Sequence, residues 1–378
     1  MWVVLAMLPC RMVSAEEPEP APSLSTPTPP PPPPPPEPGL GPPEESPDGL
    51  LFGSSDLGAE VHGFVNLELY AFEHRGEDNG PSFDIHNVFL STRAHIGSSA
   101  SVFVELEYEH GATLKLDRGF FEYQVAAPFT IRFGRFTVPF SYERMHYAAP
   151  VRLMTSRPYA VDVGFHEWTD TGIEAFGSID WFSYDLCLLN GPRGLTEAGI
   201  PNLDVIDNNI GKTVVARLNV APAPWLTTGV AASMGPYDPA DERWIYLAEL
   251  DVHLQTGPLD ILAEVDARTG ADEPCSVAAD ASCDPAWLGG TASKVGYYVT
   301  AAYSLIQGVP YVHYLKPVVR YDELDVLPAK GALRRVAAGL NWSPAAHIVL
   351  KSEVQWTFPS DRALDGSRGV MASAVADF

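Results

Sequence analysis

Gly369-Val370-Met371-Ala372-Ser373-Ala374-Val375-Ala376-Asp377-Phe378 is the stretch on which the fold turns. Val370, Ala372, Ala374, Ala376 and Phe378 alternate with small or polar residues, the period of a strand with one apolar face. The quoted run ends on an aromatic. In a β-barrel that crosses a bilayer, every second side chain meets lipid and the others meet the lumen, so apolar residues need recur only at alternate positions. A soluble edge strand has the same period, and the rest of the chain must decide between them.

The composition permits such a barrel. The chain has 378 residues, 46% of them hydrophobic, yet beyond the N-terminus it has no run near the ~20 apolar residues that a spanning helix needs. Aromatics at 11% and 31 glycines, spread along the sequence, favour many strands joined by tight turns. A formal charge of −24 argues against a nucleic-acid partner, because phosphate binding needs clustered Lys and Arg.

From about Val61 onward the sequence becomes a series of alternating segments of about ten residues, the length of a tilted spanning strand. Val102, Val104, Leu106 and Tyr108 oppose Phe103, Glu105, Glu107 and Glu109. Tyr246, Ala248, Leu250, Val252 and Leu254 oppose Glu249, Asp251 and His253, and Ile348, Leu350, Val354 and Trp356 oppose Lys351, Glu353 and Gln355. About 16 such segments are expected between 62–73 and 368–378, which makes the fold class all-β, a transmembrane antiparallel barrel. The connections alternate in length. Gly97-Ser98-Ser99-Ala100, Ala126-Ala127-Pro128, Ser178-Ile179-Asp180, Ala221-Pro222-Ala223-Pro224 and Ser343-Pro344-Ala345 are tight, whereas 137–169, 191–210, 269–292 and 357–367 are long. That asymmetry belongs to barrels with tight turns at one membrane face and extended loops at the other. The connection 110–112 is the exception, being short on the long-loop side. Trp225, Trp244, Trp342, Trp356 and Phe378 fall near segment ends, where interfacial girdles sit.

Several stretches carry a family resemblance. Phe83-Asp84-Ile85-His86-Asn87-Val88-Phe89-Leu90-Ser91-Thr92-Arg93-Ala94 and Gly134-Arg135-Phe136-Thr137-Val138-Pro139-Phe140 resemble the early strands and strand-to-loop exit of the phosphate-selective porin O and P family. Thr169-Asp170-Thr171-Gly172-Ile173-Glu174, Leu189-Asn190-Gly191, Lys316 to Asp325 and Gly339-Leu340-Asn341-Trp342 are similar to later segments in the same order. The resemblance covers most of 60–378. It implies a homotrimeric diffusion porin in the bacterial outer membrane, assembled by the barrel assembly machinery among outer-membrane lipid, with a third outer loop folded into the pore. The longest connection, 137–169, is the third on that side.

The N-terminus fits export. Trp2 to Pro9 is a short apolar run and Val13-Ser14-Ala15 has the small residues of a cleavage site, so residues 1–15 are expected to be a signal peptide. Residues 16–59, with unbroken proline from Pro29 to Pro36, are expected to be a disordered, Pro-rich periplasmic segment able to touch a periplasmic or cell-wall partner. The barrel domain is then 60–378.

The named family passes anions along a ladder of Lys and Arg, and here the lysines are few and scattered. On the phase expected to face the lumen, Arg93, Arg132, Arg217, Lys316, Arg320, Arg335 and Lys351 stand against Glu105, Glu107, Glu249, Asp251, Glu264 and Asp266, with Glu68, Glu122 and Glu353 besides. Such a wall is mixed with an acidic lean, and phosphate selectivity does not follow from it; these charges either orient solutes across the pore or pair within the wall. In 137–169, Arg144, Arg152 and Arg157 become constriction cations if the loop folds inward. Cys275 and Cys283 are expected to form a disulfide in an oxidising exported location. Phe378 is the expected assembly signal. No nucleophile-elbow motif, Gly-rich phosphate loop or zinc-binding helix motif is found, so the expectation is a non-enzymatic porin without cofactor or metal. A closed structural barrel tethered through the Pro-rich segment is the alternative, and a barrel enzyme such as a phospholipase the remote one.

Overall fold

The computed structural model describes residues 50–54, 57–73, 81–162, 168–192, 207, 209–270, 293–309, 311–325, 332–359 and 368–378. The expected signal peptide, most of the Pro-rich segment, and the Cys275–Cys283 pair lie outside them. Strands begin with β1 (Leu50–Ser54), β2 (Leu57–Glu73), β3 (Ser82–Ile96), β4 (Ala100–Glu109), β5 (Thr113–Ala126) and β6 (Phe129–Thr137). They continue with β7 (Thr169–Ile179), β8 (Phe182–Leu189), β9 (Thr213–Ala223), β10 (Leu226–Pro236), β11 (Trp244–Thr256) and β12 (Leu259–Gly270). The last are β13 (Lys294–Tyr303), β14 (Ile306–Val309), β15 (Val312–Asp325), β16 (Ala332–Ala345), β17 (Ile348–Pro359) and β18 (Arg368–Asp377).

These form one antiparallel sheet that closes on itself, each strand paired with its sequence neighbour and β18 paired with β2 from Arg368↔Glu73 to Asp377↔Phe64. Two of the 18 strands do not add a stave. β13 and β14 pair with successive stretches of β15, so they prolong one another. β1 folds back on Leu57–Val61, covering the edge of β2 that β18 does not reach. Sixteen strands therefore span the barrel, as the alternation predicts. β1 and the first residues of β2 fall within the 16–59 span expected to be linker, because an open β2 edge there would leave backbone N–H and C=O groups unpaired.

The alternation holds residue by residue. Leu106 is 38% exposed on the outside and Glu107 only 2% exposed on the inside. Val104, Tyr108, Tyr246, Leu250, Val252, Val354 and Trp356 are exposed, whereas Glu105, Glu249, Asp251, Lys351 and Glu353 are buried. An apolar exterior around a charged interior inverts a soluble core and is what a bilayer demands. Trp225, Trp244, Trp342 and Phe378 are also exposed near strand ends, and the Trp244 and Trp342 indole N–H groups donate to the carbonyls of Asp241 and Tyr311, both at 3.2 Å. Amphipathic rings with one polar tip suit the membrane interface.

Of five register shifts between strands among the described residues, three border tight turns and two, farther inside the strands, alter the phase there. Between β2 and β3, Asn66 pairs with Asn87 while Leu67 pairs with Ile85, leaving His86 as the extra residue. Between β4 and β5, Glu105 pairs with Arg118 while Leu106 pairs with Leu116, leaving Asp117. A bulge puts two consecutive side chains toward one face, and here both bulges turn polar groups inward.

The seam at the tail is held by reciprocal bonds: the Phe378 N–H donates to the Gly63 carbonyl at 2.9 Å and the Gly63 N–H to the Phe378 carbonyl at 3.1 Å. The Phe378 ring lies where a Gly63 side chain would stand, since a Cβ there would meet Phe378 Cζ at 2.6 Å and the Phe89 carbonyl at 2.7 Å. Deleting Phe378 and replacing Gly63→Val should therefore give the same defect, a lower fraction of heat-modifiable folded barrel recovered from membranes on unheated gels. Wild-type recovery in both would mean that this seam does not control assembly.

Candidate functional site

The lumen is crossed by the chain's longest connection. Val138 leaves β6 and its N–H donates to the Trp168 carbonyl at 2.9 Å, pinching the loop at its base. Phe140 and Trp168 pack there beside Phe136, Phe120, Leu189 and Val215. Ser141, at φ 70°, turns the chain inward, and its hydroxyl accepts from the Arg144 N–H to start the single helical turn α1 (Tyr142–Met145). A 3-10 turn follows at Tyr159–Asp162.

Wall charges hold this loop at two neighbouring stretches of the sheet. On β11 and β12, Glu249 stands opposite Asp266 and Asp251 opposite Glu264. The Glu249 carboxylate accepts from the Ser141 and Tyr142 N–H groups at 2.7 and 3.0 Å, and Glu264 accepts from the Glu143 N–H at 3.1 Å. The exposed N–H groups of a helix start are natural carboxylate donors, so the acidic patch caps α1 from across the lumen. Arg217 donates to Glu249 at 2.7 Å and also to Asp251. One arginine cannot balance four carboxylates, and Asp251 Oδ1, Glu264 Oε1 and Asp266 Oδ1 are buried without a hydrogen-bond partner.

The wall beyond β13, on β15 to β17, is richer in cations. Arg320 donates to the Ser156 carbonyl at 2.8 Å and to Asp322 at 3.1 Å; Arg335 donates to Asp322 at 2.9 Å and to the Arg157 carbonyl. Lys351 Nζ reaches the Ala149 and Arg152 carbonyls at 2.6 and 2.5 Å. Glu353 accepts from the Ser156 N–H at 2.9 Å and Asp322 from the Tyr159 N–H at 3.0 Å. Cations take the loop's carbonyls and carboxylates its N–H groups, so the wall supplies the partners that a loop buried inside a barrel otherwise lacks.

A third group stays within the wall. Arg93 donates to Glu122 at 2.6 Å, Arg132 bridges Glu122 and Glu174 at 2.8 and 2.6 Å, and Lys115 Nζ lies 3.0 Å from Glu107. Arg118 forks onto Glu105 at 2.6 and 2.7 Å. Of the loop cations, Arg144 and Arg152 are buried, Arg152 is 3.7 Å from Glu68, and the Arg157 guanidinium lies 5.9 Å from the Tyr147 ring centre. Lys316 stands apart from these clusters, half-buried, with Nζ 5.6 Å from the Tyr314 ring centre. Burial pushes the Glu143 carboxyl up to about 7, against the pull of Arg320 and Arg152, and the His146 imidazole down to about 4. His146 is thus neutral at pH 7, and its Nδ1 lies 2.8 Å from the Tyr142 carbonyl.

The strand charges named from the alternation are buried or half-buried on the face away from the exposed apolar residues, and Ser141 to Glu143 and Ser156 to Tyr159 of the loop hydrogen-bond to that face. The strand periodicity also contained Asp322, Glu174 and Arg268, which share the phase of Arg320, Phe176 and Glu264 but were not singled out. Asp117 and Arg118 could not be found that way, because the bulge on β5 breaks the phase between them.

No family model matches the chain, and its sequence matches no curated protein. Solved structures match its shape. The outer membrane channel DcaP of Acinetobacter baumannii superposes with a TM-score of 0.62 at 10% identity, covering 86% of this chain and 99% of that one. OmpF of Salmonella typhi, in complex with daunomycin, gives 0.63 at 9% identity over 87% and 100%. The trimer form of the outer membrane protein OmpT of Vibrio cholerae gives 0.60 at 10% over 85% and 100%. At such identities the likeness is one of fold: the closed, 16-stranded antiparallel barrel of bacterial outer-membrane proteins.

Replacing Arg320→Met and Arg335→Met together removes both cations from Asp322 and the grip on Ser156 and Arg157. Leaving a buried carboxylate uncompensated costs about 3–5 kcal/mol. The folded double variant should become cleavable by trypsin at Arg144, Arg152 or Arg157 while the barrel stays heat-modifiable. Persistent resistance of the loop would place its anchorage elsewhere.

Proposed function

We propose that this protein is an outer-membrane porin that lets small hydrophilic solutes or ions diffuse passively, without enzymatic activity. What carries the reading is a closed barrel with an apolar belt whose charged lumen is narrowed by an inward-folded loop. Membership of the phosphate-selective O and P type rests on the motifs of 83–94, 134–140 and 316–325. A homotrimer fits this reading, in line with the trimer form of the Vibrio cholerae OmpT structure. So do a signal peptide at 1–15, assembly through the barrel machinery, a periplasmic Pro-rich segment and a Cys275–Cys283 disulfide.

The buried acidic patch Glu249, Asp251, Glu264 and Asp266, set against Arg217, supports a weakly cation-preferring or nearly unselective pore rather than a phosphate pore. One observation favours a second reading, a closed structural barrel: Arg217, Arg320, Arg335, Lys351, Glu249 and Glu353 are each less than a tenth exposed, because they hold the loop or one another.

Single-channel recording in planar bilayers separates the two. Discrete steps with a reversal potential near zero or slightly toward cations are expected, with no block of chloride current by dilute phosphate. Replacing Arg144, Arg152 and Arg157 together with Gln should move the reversal potential further toward cations. Absence of any conductance sinks the porin, and a strongly anion-selective current with a saturable phosphate site sinks the selectivity.

Orientation follows from the lengths of the connections. Epitope tags inserted near Gly191 or Ala281 should be labelled on intact cells, and tags near Pro222 or Pro344 should not. The opposite pattern would turn the barrel over.

A further inference from the structure

We propose that Asp84, His86 and His110, backed by Glu68, form a binding site for a divalent transition-metal ion of the zinc class at the long-connection end of the lumen. The site is built by three neighbouring strands. Glu68 on β2 pairs directly across from Asp84 on β3, and the His110 N–H, just past β4, donates to the His86 carbonyl at 3.0 Å. The bulge on β3 makes His86 the extra residue, which keeps both Asp84 and His86 half-buried on the inner side beside the fully buried Asn87. His110 begins the short connection 110–112, in a left-handed conformation at φ 50° followed by Gly111 at φ 64°. That tight turn holds its ring close to the wall.

The donor atoms of Asp84, His86 and His110 all lie within 4.8 Å of one another. His110 Nδ1 is 2.7 Å from Asp84 Oδ2, and His86 Nδ1 is 3.6 Å from Asp84 Oδ2 and 3.7 Å from Glu68 Oε2. Zinc bonds of about 2.0–2.1 Å arranged tetrahedrally put neighbouring donors about 3.4 Å apart, so the group is already close to ligating spacing. Two imidazoles with one or two carboxylates select zinc, copper or nickel, whereas magnesium and calcium ask for oxygen alone. The outer contacts are also in place. Asn66 Nδ2 donates to Glu68 Oε1 at 2.9 Å, and Arg152 approaches that same oxygen at 3.7 Å, so Oε2 is the oxygen presented to His86. Fixing a ligand from behind in this way is what metal sites require.

The test is calorimetric titration of the full chain, folded in detergent and alkylated at its cysteines, with zinc chloride and, separately, magnesium chloride. One zinc per chain should bind, with no comparable magnesium binding. His110→Asn keeps a residue that tolerates positive φ and should weaken zinc binding at least about tenfold. His86→Gln should do the same, and His313→Asn, at the opposite end of the barrel, should not. Heat-modifiability on gels confirms that each variant is folded. Zinc binding that survives His110→Asn at full strength, equal binding of magnesium, or no uptake at all would overturn the proposal. The titration reads binding and not current, so its outcome stands apart from whether the barrel conducts.

Discussion

Everything in this molecule follows from the need to pair every backbone N–H and C=O where water is absent. A sheet with an edge cannot meet that need in a bilayer; a sheet whose last strand pairs with its first can. β18 therefore pairs with Phe64–Glu73 of β2, Phe378 exchanges hydrogen bonds with Gly63, and β1 doubles back over the stretch that β18 leaves. Closure in turn fixes which side chains point inward, because the pleat allows no intermediate choice. The charged residues inside are a consequence of geometry before they are a feature of function.

The same need reappears one layer in. A loop of about thirty residues drawn through a barrel carries its own backbone donors and acceptors, and the helical turn at Tyr142–Met145 satisfies few of them. The wall supplies others by sign: Glu249, Glu264, Glu353 and Asp322 meet N–H groups, while Arg320, Arg335 and Lys351 meet carbonyls, as does the neutral Asn341 amide. Charged partners bond more strongly than neutral ones, which suits a segment that cannot form a ladder. It also explains why the inner wall is mixed in sign rather than uniformly basic, since a backbone needs both.

Strand existence, phase and number were legible because period two is strict wherever lipid faces one side. Tyr246 to Leu254 and Val102 to Glu109 needed no further information. Two things escaped that logic. The bulges at His86 and Asp117 shift the phase locally, and nothing in Asp84-Ile85-His86-Asn87 or Leu116-Asp117-Arg118 marks where the extra residue falls. The partners of the lumen charges escaped as well. Arg320 and Ser156 are 164 residues apart in the chain, and alternation says which face a residue takes but never what crosses the lumen to meet it.

That last point bears on how selectivity should be read in a barrel of this kind. Counting charges on the lumen phase treats each as available to a passing ion, whereas here most are spent on the loop or on each other, as in Arg132 with Glu122 and Glu174. What an ion meets is the residue of that pairing. On β11 and β12 carboxyl groups outnumber cations, because four of them share Arg217 and the α1 N–H groups, and three of their oxygens have no hydrogen-bond partner. Around Asp322 the charges come closer to balance, because Arg320 and Arg335 hold Asp322 between them while Glu353 lies 3.9 Å from Arg320. The acidic patch and the Asp322 cluster stand side by side on one stretch of wall, Glu264 pairing with Tyr298 and Tyr298 with Asp322, and the loop lies against both, so a substitution in one changes the field at the other.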